Sequence, residues 1–133
     1  MPTTPDDAVL APGPALVEAQ RLLDAGRPFH AHEVLEGVWK GRPELPSEDR
    51  ELWRGLAQLA VGLTHAHRGN AVGAVRLLRR AADRIAPYGT EAPAPYGVAV
   101  VELAGWARAL ATRIERDGLA GIPAPELVPR LMP

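Results

Sequence analysis

Residues 47–68 constrain the fold more than any other stretch of this chain. Ser47 reads as an N-cap, with Glu48, Asp49 and Glu51 favourable in the first turn of a helix. Leu52, Leu56, Leu59, Leu63 and Ala66 then recur at helical spacing as a seam, and Trp53, Ala57, Ala60 and Val61 make most of the remaining surface apolar. A helix apolar over most of its circumference needs neighbours on several sides, which places this one in the middle of a bundle. Gly55 and Gly62 each cost about 1 kcal/mol of helix propensity. They lie on one face, which predicts close approach of a neighbouring helix.

The remaining chain is punctuated to match. Residues 1–13 carry three prolines, two threonines and two aspartates and are expected to be loose, with a short turn near residues 6–10. Pro14 suits the first position of a helix that Gly26 ends, with Leu16, Ala19, Leu22 and Leu23 at helical spacing. Pro28 opens a second helix to about Lys40, and Gly41, Pro43 and Pro46 make the next connection. After the central helix, Gly69 reads as a C′ stop and Asn70 as the next N-cap, a joint short enough to force an antiparallel pair. Residues 71–86 turn Ala74, Val75, Leu78, Ala81, Ala82 and Ile85 inward and Arg76, Arg79, Arg80 and Arg84 outward. Residues 87–97 read as a loop. Residues 98–116 form a last helix with Val100, Leu103, Trp106, Leu110 and Ile114 as its seam, stopped by Gly118. The tail, residues 119–133, has four prolines among Ile122, Leu127, Val128 and Leu131, too apolar for a simple linker, so it should lie extended along the bundle. No strand pattern and no convincing internal repeat is present.

Composition removes several classes of function. The net charge is −1, so no global field draws the chain to nucleic acid or an anionic membrane. There is no cysteine, which excludes disulfides and thiolate metal sites and fits a reducing, cytoplasmic setting. No signal-peptide pattern opens the sequence, and no apolar run approaches the roughly 20 residues that span a bilayer.

The polar residues that interrupt apolar faces carry what functional signal there is. His32 and Glu36, four apart on the second helix, border the arc of Ala31, Val34, Leu35, Val38 and Trp39, with Glu33 beside them and His30 pointing to solvent. On the central helix, Glu51, Arg54, Gln58 and His65 share a stripe about 60° wide opposite the leucine seam. Antiparallel packing of the two helices would bring His32, Glu33 and Glu36 toward Gln58, His65 and Arg54. Two readings follow. In the structural one these groups satisfy one another and set how the helices dock. In the other, His32, Glu36 and His65 hold a divalent metal, with hydrolysis as its chemistry and Glu33 as orienter or base. His-Glu-x-x-Glu occurs once, short of a di-metal pattern, and His-Glu-x-x-His is absent. These residues require no cofactor. His67 reads as a core-edge histidine, and Trp39, Trp53 and Trp106 as core or interface. The arginines of the fourth helix, with Arg68, form a basic face for which weak RNA contact is a further reading, without aromatic interleaving to support it. The tryptophans and the apolar tail exceed what one small core covers, which points to a homo-oligomer.

The segment Phe29-His30-Ala31-His32-Glu33-Val34-Leu35-Glu36 with Trp39, followed by Gly55-Leu56-Ala57-Gln58-Leu59-Ala60, His65 and Gly69-Asn70-x-x-Gly73-Ala74, resembles the signature of the domain-of-unknown-function family 309. The resemblance covers about residues 14–116. It implies a small, intracellular, all-helical bundle with no established activity. The family's polar positions fall on His32, Glu33, Glu36, Gln58 and His65, while His30 stands where the family has an acidic or small residue.

The expected architecture is a single all-α bundle of about five helices over residues 14–118, with the helix of residues 47–68 central. Residues 1–13 form a loose start, and residues 119–133 a proline-rich tail packed on the bundle.

Overall fold

The computed structural model describes residues 10–90 and 94–133. Most of the loose opening segment, including its expected turn, lies outside them. Five α-helices follow in order: α1 (Pro12–Asp24), α2 (Pro28–Lys40), α3 (Ser47–His67), α4 (Ala71–Ile85) and α5 (Val100–Asp117). Each packs chiefly on the next in sequence, and α3 lies between α2 and α4. No strand occurs among the described residues.

Helix ends are set by which backbone groups find partners. α1 starts at Pro12, two residues before the expected Pro14, because Ala15 N–H already donates to Ala11 C=O at 2.8 Å. Pro12 and Pro14 both occupy the first turn, where a missing N–H loses nothing. Gly26, at φ +73°, stops α1: its N–H donates to Leu23 C=O and that of Arg27 to Leu22 C=O. Gly69, at φ +77°, stops α3 with the same pair of bonds, to Ala66 and His65. Asn70 then caps α4, its Oδ1 accepting from Gly73 N–H at 3.0 Å. Ser47 does not cap α3. Pro46 takes that position without a side-chain bond, because Arg50 N–H donates to Pro46 C=O and starts the ladder one residue early.

Leu52, Leu56, Leu59 and Leu63 are fully enclosed, as is Trp53 on an adjoining face, so α3 is covered on several sides. The two glycines face α4. A Cβ on Gly55 would stand 2.6 Å from Ile85 Cγ2, and one on Gly62 would stand 3.2 Å from Leu78. The expected close approach is therefore made by α4, with Leu78 and Ile85 filling the space that side chains would otherwise occupy.

Two segments depart from expectation. The loop of residues 87–97 contains 3-10 turns at Ala86–Thr90 and Pro95–Gly97. In the second, Tyr96 has φ +57°, a conformation costing a non-glycine residue about 1 kcal/mol or more. It is held by its hydroxyl, which donates to Asp49 Oδ2 at 2.5 Å, and by an edge contact with the Trp53 ring. α5 begins at Val100 rather than Val98, because Ala99 N–H is drawn instead to Leu131 C=O at 2.9 Å.

The tail is not uniformly extended: a 3-10 turn spans Ala124–Leu127. Ile122, Leu127 and Leu131 are buried. Gln20 of α1 grips the tail with both ends of its amide, donating to Pro129 C=O and accepting from Leu131 N–H, each at 2.9 Å. The tail thus joins the first helix to the start of the last. Among the described residues no helix is long and apolar enough to cross a membrane.

The glycines predict opposite signs for one substitution. Gly55→Ala drives a methyl group into Ile85 and should lower stability by about 1–2 kcal/mol after its gain in helix propensity. Gly105→Ala, on α5 with nothing within 4 Å of the new Cβ, should raise it by about 0.5–1 kcal/mol. Urea unfolding of both variants beside the parent chain checks the pair.

Candidate functional site

The site begins with one carboxylate. Glu36 accepts from Lys40 Nζ on Oε1 at 2.8 Å and from His32 Nε2 on Oε2 at 2.9 Å. The three residues are spaced i, i+4, i+8, so one helix edge supplies all of them. The Lys40 hydrogen bond holds the Glu36 carboxyl below its ordinary range; partial burial opposes it, and the His32 bond adds to the lowering. An ionised carboxylate has no proton to give, so His32 Nε2 carries the shared hydrogen. In the neutral ring, Nδ1 is then a free acceptor.

His32 and Glu36 form part of one wall of a cleft of about 240 Å³ shared by α2, α3 and α4. Trp39 completes the α2 wall; Arg54, Ala57, Gln58 and Val61 come from α3, and Leu77 and Arg84 from α4. The Arg54 guanidinium lies 5.5 Å from the centre of the Trp39 ring, within cation–π reach. Arg54 also donates to Glu51 at 3.1 Å, and the other Glu51 oxygen pairs with Arg84 at 3.8 Å. Three polar atoms of the lining have no hydrogen-bond partner and are shut off from solvent: His32 Nδ1, Trp39 Nε1 and Gln58 Oε1.

Of the six residues expected to cluster, His32, Glu36, Arg54 and Gln58 share this cleft. Glu33 does not; it is exposed and has no polar partner among the described residues. His65 belongs to the α3–α4 turn, where Asn70 Nδ2 donates to its Nδ1 at 2.9 Å. The one Asn70 amide therefore caps α4 and holds the His65 ring against Gly73, whose missing Cβ would stand 2.9 Å from Nδ1. The structure therefore does not bring His65 to the cleft that holds His32 and Glu36, and no group of three or more metal-ligating side chains occurs among the described residues. His67, expected at the core edge, is exposed on the last turn of α3. His30 is exposed as expected. Part of the basic face is neutralised, Arg79 by two bonds to Glu115 at 3.0 and 3.1 Å and Arg84 by Glu51.

Sequence reasoning missed three participants. Trp39, expected in core or interface, packs partly against the core and also lines the cleft. Tyr96, with its hydroxyl pushed up to about 12 by burial and by the accepting Asp49, lies in a segment with no helical period to place it. Gln20 looked like one more polar position on α1. Only the indole carried a signal, an aromatic beside the His32–Glu36 edge.

The family described as Domain of unknown function (DUF309) matches residues 16–77. The resemblance drawn from the motifs is borne out over that span, from α1 into α4, and the match stops short of α5. The chain is also similar to "Uncharacterized protein YpuF" of Bacillus subtilis (strain 168), with 46% identity over 50 residues. That alignment covers 38% of this chain and 28% of the relative, so the chain matches little more than a quarter of that protein's length. No solved structure matches the chain.

The Glu36 cluster makes a pH prediction. Its folded pKa is depressed, so its contribution to stability is complete above the ordinary carboxylate range and is lost as pH falls through that range toward the folded value. Glu36→Gln should therefore lose less stability than the parent between about pH 5 and pH 3. The side chain is 33% exposed, which makes the difference small. Urea midpoints at the two pH values measure it.

Proposed function

We propose that the region matching family 309 is a non-enzymatic interaction module, and that the α2–α3–α4 cleft is its recognition site. One observation carries this reading: the cleft wall holds a donor, Trp39 Nε1–H, an acceptor, Gln58 Oε1, and an imidazole nitrogen, His32 Nδ1, that the fold leaves unpaired. A buried polar atom without a partner costs about 1–3 kcal/mol. A network present only to dock helices would pair these atoms with one another. A peptide group offers both the acceptor and the donor they lack. Rotation of the Gln58 and Trp39 side chains, without backbone movement, would open them to it. Glu36 is engaged on both oxygens by His32 and Lys40, which holds it in place as part of the wall. The cytoplasm is the compartment this reading assumes, supported by the cysteine-free composition.

Near-isosteric removal of an unpaired atom separates recognition from scaffolding. Gln58→Met should leave stability unchanged or raise it by about 1 kcal/mol, whereas a docking network would lose a similar amount. In the parent chain, titration with N-methylacetamide as a peptide-group probe should shift the Trp39 indole N–H resonance and leave those of Trp53 and Trp106 in place. A destabilised variant, or equal shifts at all three indoles, would overturn the assignment.

A further inference from the structure

A second depression lies between α4 and α5 and shares no residue with the first. It is a groove of about 700 Å³ with Val72, Val75 and Ile114 as its apolar floor. Val72 is 78% exposed, the most open large apolar side chain among the described residues. The one carboxylate in the wall, Glu115, is neutralised by its paired bonds to Arg79. Arg76, on the wall, is exposed and has no acidic partner among the described residues, and the same holds for Arg80, one turn further along α4. An aliphatic floor is thus bordered along α4 by uncompensated positive charge.

We propose that this groove docks an acidic amphipathic helix of a partner protein. Aliphatic side chains one turn apart on the incoming helix would cover Val72 and Val75, above the buried Ile114, and carboxylates on its flank would meet Arg76 and Arg80. Charge complementarity selects this occupant. The floor has no ring on which a nucleic-acid base would stack. A membrane surface calls for a broad apolar face, but that face of α4 is engaged in the core through Ala74, Leu78, Ala81, Ala82 and Ile85.

Selection from a displayed library of helical peptides about four turns long, with the full chain as bait, tests the proposal. The enriched sequences should be acidic, with aliphatic residues at i, i+4 and i+7. Their binding should weaken about tenfold or more in an Arg76→Glu, Arg80→Glu double variant and in Val72→Asp. Both changes are at exposed positions, and circular dichroism confirms that the variants remain folded. Enrichment no greater than on an unrelated bait, neutral or basic winners, or binding unchanged in the variants would overturn it. So would arginine-dependent retention of polyuridylate or of phosphatidylcholine–phosphatidylglycerol vesicles in place of the peptides.

Discussion

The close approach of α3 and α4 is the constraint from which the rest of the arrangement follows. Gly55 and Gly62 remove two side chains from the face of α3, and the buried Ile85 and Leu78 side chains occupy that space. The joint at Gly69-Asn70 fixes the antiparallel sense, and the glycines fix the spacing and register. Gly73 extends the seam to the turn by leaving room for the His65 ring. With α4 held in this way, Leu77 and Arg84 reach the cleft, while the other edge of α4 faces α5 and bears the second groove. The propensity lost at two helical glycines is about 2 kcal/mol. Full burial of a leucine and an isoleucine returns about 1.5–3 kcal/mol each, so the exchange favours the tight contact.

Position on the helical wheel foretells burial wherever burial alone decides the outcome. Leu52, Leu56, Leu59 and Leu63 are fully buried because an azimuth on a helix maps directly onto an inside or an outside. The same azimuths put His32, Glu36, Arg54 and Gln58 on facing stripes, and the structure brings them to one cleft. They say little where the partner, not the azimuth, matters. His65 shares its stripe with Gln58, yet Asn70, a residue of the turn, engages its ring nitrogen. His67 has the right azimuth for the core but lies on the last turn of α3, where no neighbouring helix covers it. Ser47 and Val98 were misplaced because helix ends answer to backbone acceptors, one of them as remote in sequence as Leu131. Tyr96 and Gln20 make contacts across much of the chain, and no local pattern encodes those.

Glu36 is held by its own helix. Each carboxylate oxygen accepts from a nitrogen on its own helix, and both donors lie one turn away, so the arrangement forms as α2 forms. The arginines opposite are similarly engaged, Arg54 and Arg84 converging on the two oxygens of Glu51. What the fold leaves over is neutral polarity: an indole N–H, an amide oxygen and an imidazole nitrogen. These groups lie beside the Trp39 ring and the aliphatic Val61 and Leu77.

Helices that each pack on the next in sequence resemble an open array, and open arrays lose cooperativity because terminal elements have one neighbour. The tail changes that topology. Gln20 on α1 and Ala99 at the start of α5 both bond the backbone at Leu131, from opposite sides of the same residue: one accepts its N–H and the other donates to its C=O. Leu131 itself is fully buried, and Arg113 ties the preceding turn to α5 through Glu126. The first helix is thereby coupled to the last through a few residues of chain. Fraying at either end must break these bonds and expose Leu131, so the two ends should melt together with the core. The proline-rich composition of the tail fits this role, since prolines limit the conformations that the strap surrenders on docking.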